Sequence, residues 1–107
     1  MNNDVKSEID VLIDYIKNSK IYIDYIDILN KVDKCTDIKK LTNEIRSLNK
    51  KMVRTPSIEL ENELKCKENE LNSIPLYVDY IERLEELNNL LVIVKNKIDN
   101  LVKDILL

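Results

Sequence analysis

Residues 72–91 read "NSIPLYVDYIERLEELNNLL", a proline helix start, a Tyr/Val/Tyr cluster and a leucine repeat in a chain of 107 residues with no glycine and no histidine. Ser73 is a candidate cap, and Pro75 falls in the first turn, where its missing N–H removes no intrahelical bond. No breaker follows, so the spacing predicts one helix from Pro75 to about Leu106, about 45 Å long at the standard rise. Its apolar seam takes in Val78, Ile81, Leu84, Leu87, Leu91, Val94, Ile98, Leu101 and Ile105, and Leu90, Ile93, Val102 and Leu106 widen it. A stripe that wide meets more than one neighbouring helix. The helices upstream are each about half as long, so two in succession, or a second chain, must cover it. Dimerisation through this helix is therefore expected, with Tyr77 joining the seam residues at the oligomer interface.

The rest of the chain reads as shorter helices. Val5, Ile9, Leu12, Ile13 and Ile16 mark one face of a first helix over Asp4 to Lys17. Ser19 can cap a second, which carries Ile21, Tyr22, Tyr25, Ile28, Leu29 and Val32; the two form either one kinked unit or two helices. Thr36 is a plausible cap for a third, whose Ile38, Leu41, Ile45, Leu48 and Met52 recur at steps of 3, 4, 3 and 4 with Cys35 extending the stripe. Pro56 disfavours helical geometry at Thr55 and places a hairpin tip there, projecting as an arm. The helix from Ser57 to Asn72 keeps Leu60, Leu64 and Leu71 but sets Lys67 where a seam residue would fall, so it should be the most exposed or least stable. The fold class is all-α: an antiparallel helical bundle or hairpin with a long C-terminal helix, in a single domain, 1–107.

Composition removes several function classes together. Without glycine, phosphate-cradling loops and dinucleotide fingerprints are disfavoured; without histidine, the commonest general base and zinc ligand are gone. Neighbouring carboxylates such as Glu85 and Glu86, or Asp24 and Asp27, read as solvated helix charge. No catalytic residue, metal ligand or small-molecule substrate is expected, and the chain reads as no enzyme. Cys35 and Cys66 read as two buried thiols rather than as a disulfide or metal site. A net charge of −3, no leader and an apolar run no longer than "LLVIV" point to a cytoplasmic protein without membrane insertion.

Charge is unevenly spread. Residues 35–56 carry six basic and two acidic groups, whereas residues 57–107 carry eleven acidic and six basic. Lys39, Arg46 and Lys50 share one side of the third helix, roughly opposite its seam, and could dock an acidic partner or an RNA backbone. The plainer reading is that the acidic fourth helix folds beside the basic third and the two pair weakly at the surface. Tyr22, Tyr25, Tyr77 and Tyr80 have acidic and aliphatic neighbours, which favours packing over base stacking and disfavours direct nucleic-acid binding.

Three stretches carry a resemblance over nearly all of the chain: "YIKNSKIYIDYIDI", the "VRTPS" break, and "NSIPLYVDYIERLEELNNLLVIVKNKIDNLV". In these the sequence resembles the YlbF/YmcA family of small helical regulatory proteins of low-GC Gram-positive bacteria. The resemblance implies a noncatalytic adaptor that forms homo-oligomers or mixed complexes with sister proteins. It further implies modulation of mRNA processing by the membrane-anchored endoribonuclease RNase Y, with effects on competence, sporulation and biofilm formation. Some members share an iron–sulfur cluster with partners through a cysteine in a C-terminal extension, so Cys35 and Cys66 are not expected to take that role and no cofactor is expected. Two other readings stand beside the adaptor: a structural or chaperone-like helical hairpin, and an accessory factor that binds RNA directly through Lys39, Arg46 and Lys50.

Overall fold

Without glycine the chain lacks the residue best suited to left-handed turns, and its links among the described residues use negative φ throughout. The computed structural model describes residues 2–106, except for the side chains of Asn2, Asn3 and Val5, and the seam position assigned to Val5 lies outside the described side chains. It consists of α1 (Asn2–Asn18), α2 (Lys20–Asp33), α3 (Thr36–Arg54), α4 (Ile58–Asn72) and α5 (Pro75–Leu106). Among the described residues there is no strand and no positive φ, and the all-α fold with a long last helix is as expected.

Each link has a local cause. Ser19 separates α1 from α2: its Oγ accepts from the Tyr22 N–H at 3.2 Å and donates to the Ile16 carbonyl at 2.6 Å, so one hydroxyl both ends a helix and caps the next. Between α2 and α3 the expected cap moves by one residue. Thr36 is already helical, and Cys35 holds the cap position with φ −86° and ψ 107° but no side-chain hydrogen bond. The link is too short for another outcome, because the Cys35 N–H is still bonded to the Val32 carbonyl at 3.0 Å.

At the third link Thr55 leaves the helical region with φ −142° and ψ 79°, the geometry imposed on a residue before proline. The Ser57 hydroxyl then accepts from the Leu60 N–H at 3.1 Å and caps α4. Ser73 does not cap α5. Its hydroxyl donates back to the Glu70 carbonyl at 2.6 Å and closes α4, while the Val78 N–H bonds the Ile74 carbonyl and Pro75 opens α5.

Residue proximity divides the chain into two compact units, with boundaries inside α2 and α5. The unit from Ile28 to Ile81 contains the α3–α4 hairpin, which is antiparallel: Lys51 lies with Leu60 near the turn and Leu41 with Ile74 at the far end. Ile38, Leu48 and Leu71 are buried in it, as is Ile28, and Leu41, Ile45, Met52, Leu60 and Leu64 are half-buried, as the heptad spacing requires. The other unit joins the chain up to Asp27 to the stretch from Glu82 onward. Its buried side chains are Leu87, Leu90 and Val94, and Ile9, Leu12 and Ile16 of α1 are half-buried.

The cysteines depart from expectation. Cys35 is half-buried and Cys66 is exposed, both as free thiols. Cys66 lies between Lys65 and Lys67, off the α4 seam that runs through Leu60, Leu64 and Leu71, and is left exposed.

The caps give a direct test. Ser57→Ala should lower stability by about 1 kcal/mol in denaturant unfolding, since it strips the acceptor from an α4 N-terminal donor. Ser57→Asp should retain most of that stability.

Candidate interaction surface

Helix α5 presents more apolar surface than its own chain covers. Of the residues assigned to an oligomer interface, Leu87 and Val94 are buried within the molecule, and Tyr77, Ile81, Leu84, Ile98 and Leu101 are half-buried. Leu91, Ile105 and Val78 remain exposed, Leu91 and Ile105 each at 42%. Leu90, placed by the sequence on the margin of the stripe, is buried, and Leu91 beside it is not. The 100° step between them decides this: the face that meets the rest of the unit passes through Leu87, Leu90 and Val94 at helical spacing. Leu91 and Val102, the latter 43% exposed, fall on the adjoining flank. Ile93, which the sequence placed on the margin of the stripe, is exposed, and Val92, which sequence reasoning missed, is an exposed apolar side chain beside it.

The tyrosines sit as packing residues do. Tyr22, Tyr25, Tyr77 and Tyr80 are all half-buried, and the Tyr77 and Tyr80 rings lie 6.1 Å apart, tilted by 44°. Tyr15 is the exposed one.

The α3–α4 pairing reverses the expected polarity. Crossing the hairpin, the Lys67 ammonium of the acidic helix reaches Oε2 of Glu44, on the basic helix, at 2.8 Å. The lysine that interrupts the α4 seam is thereby answered from α3, and it also lies 3.8 Å from Glu70. Its ammonium holds the Glu44 carboxyl below its ordinary value, and Glu44 in turn raises Lys67. Three other cations are matched along their own helix: Lys65 with Glu61, Arg83 with Glu86, Lys95 with Asp99.

Lys39, Arg46 and Lys50 are placed on one exposed side of α3 as expected, and among the described residues none of them enters an ion pair. No group of three or more His, Cys, Asp or Glu side chains is gathered for a metal among the described residues, and no helix is long and apolar enough to cross a membrane.

Comparison with family models matches residues 5–103 to the family described as control of competence regulator ComK, YlbF/YmcA. The chain belongs to the YlbF/YmcA family. The resemblance read from the three quoted stretches is thus met over almost the whole sequence, and with it a regulatory family whose name refers to competence control. Searches of curated proteins and of solved structures found no match.

The pair between Glu44 and Lys67 makes hairpin stability depend on pH in a defined sense. A lowered carboxylate contributes above its unfolded value and loses that contribution as pH falls through its folded one. A raised lysine contributes below its unfolded value and loses it as pH rises through the folded one. The stability difference between the wild type and a Glu44→Gln/Lys67→Gln double variant should therefore be greatest across the neutral range. It should shrink towards acid below the ordinary carboxylate range and towards base above the ordinary lysine range, as read from denaturant midpoints at each pH.

Proposed function

We propose that this YlbF/YmcA protein is a noncatalytic cytoplasmic adaptor. It assembles through α5 into homodimers or higher oligomers, alone or with sister family proteins, and modulates mRNA processing by the endoribonuclease RNase Y. Competence, sporulation and biofilm regulation are its downstream outputs.

The observation that carries this reading is the row of Leu91, Val102 and Ile105, exposed on the flank of α5 next to the stripe that the chain buries itself. Exposed aliphatic side chains aligned on one helix flank supply the apolar surface that association sites in soluble proteins use. A symmetric pair of chains placing these rows together would remove both from water at once. The family match supplies the regulatory setting, and the absence of glycine and histidine leaves few means for catalysis.

Light scattering on the eluting protein should give a mass of at least twice the 12.6 kDa of one chain. Leu91→Asp should reduce it to a single chain with helicity retained, because Leu91 is not needed for the internal core. Leu90→Asp should unfold the chain, since a charge would then sit among buried apolar side chains. Co-purification of the endoribonuclease with the wild type but not with Leu91→Asp completes the test. A wild type that stays monomeric at tens of micromolar and recovers no ribonuclease would overturn the reading.

A further inference from the structure

The outer face of α3 arranges its charges differently from the one-turn ion pairs of α4 and α5. Arg46 and Lys50 are one turn apart, and Arg54 follows a turn later, so like charges repeat at i, i+4 and i+8. No acid stands three or four residues from Lys39, Arg46 or Lys50, whereas Lys65, Arg83 and Lys95 each have one in contact at that spacing. Even Lys40, next to the row, has Glu44 at i+4 and acts on its carboxyl. Like charges one turn apart weaken an isolated helix. Arg54 lies in the last turn, where it is favoured by the negative end of the helix dipole. Lys39 lies near the positive end, where a cation gains nothing from the dipole. The acidic α4 does not compensate either: the contact that crosses to it involves Glu44 and Lys67.

The row also has an apolar end. Counting from Lys39, the positions of Arg46, Lys50 and Val53 fall within about 60° of one another around the helix and span about 21 Å of its length. Val53 is 86% exposed on that face, and Ile58 just past the turn is 76% exposed. A straight row of cations ending in an unburied aliphatic side chain matches a helix with acids at one-turn spacing and one apolar anchor. It matches a nucleic acid less well, because none of the five tyrosines lies on α3 to stack a base.

We propose that Lys39, Arg46, Lys50 and Val53 form the docking surface for an acidic helical segment of a partner protein, the uncompensated charges of α3 being completed by the partner. This rests on the adaptor reading and assigns to α3 the recognition that α5, given over to assembly, does not perform.

The test uses the full chain and two fluorescent probes, a helical peptide with glutamates at i, i+4 and i+8 and one leucine, and a single-stranded uridine oligonucleotide. The peptide should bind the wild type, more tightly at low salt. Lys50→Glu should weaken that binding at least tenfold while leaving the melting temperature unchanged or higher, since the new glutamate gains Arg46 and Arg54 as one-turn partners. Val53→Ser should weaken it several-fold without altering the salt dependence. The proposal is overturned if neither probe binds, if the oligonucleotide binds more tightly than the peptide and ignores Val53, or if Lys50→Glu lowers the oligomer mass and so marks the row as a contact between copies. Mass read on the same samples separates failure of this surface from failure of α5 assembly.

Discussion

A helix can bury one stripe against the neighbours it has, and apolar surface beyond that stripe must find cover elsewhere or stay wet. That limit governs α5. Leu87, Leu90 and Val94 take up the internal contact, and the flank running through Leu91, Val102 and Ile105 is left over. Among the described residues only Ile28, Ile38, Leu48, Leu71, Leu87, Leu90 and Val94 are buried, a small core for a chain that is 44% hydrophobic. Burying one more large aliphatic side chain is worth about 1.5–3 kcal/mol. Two or three such residues on each of two chains are therefore a substantial fraction of the stability expected of a domain this size.

Helix boundaries were legible because their causes are local. Pro75, Ser57 and Ser19 act within a turn of where they stand, and Pro56 determines the backbone of its immediate neighbour. Where the sequence reading went astray, at Thr36 and Ser73, a side chain able to cap one helix was preempted by the end of the helix before it. Periodicity located the α3 seam for a similar reason: one partner, α4, faces it throughout. On α5 the same method could not separate Leu90 from Leu91, because an apolar stripe that wide fits several rotations of the helix and only the position of a neighbour chooses among them.

Burial of Cys66 failed as an expectation since residue type alone carries no register. The partner of Lys67 could not be read either. It depends on which α3 residue stands opposite in the hairpin, a long-range fact, and the answer came from one of the few acids on the predominantly basic helix. The uncompensated row on α3, by contrast, needs nothing but spacing to be seen. Its significance emerges only against the matched pairs of α4 and α5.

The two units are nested in the sequence: Ile28 to Ile81 is one uninterrupted segment, and the other unit is assembled from what precedes and follows it. The contiguous unit depends on contacts between neighbouring helices and can form quickly, whereas the split one must first close a loop as long as its companion. During synthesis the hairpin is thus free to fold as soon as it emerges from the ribosome. The stretch up to Asp27 must wait for its companion, the part of α5 that carries Leu87, Leu90 and Val94, to be made.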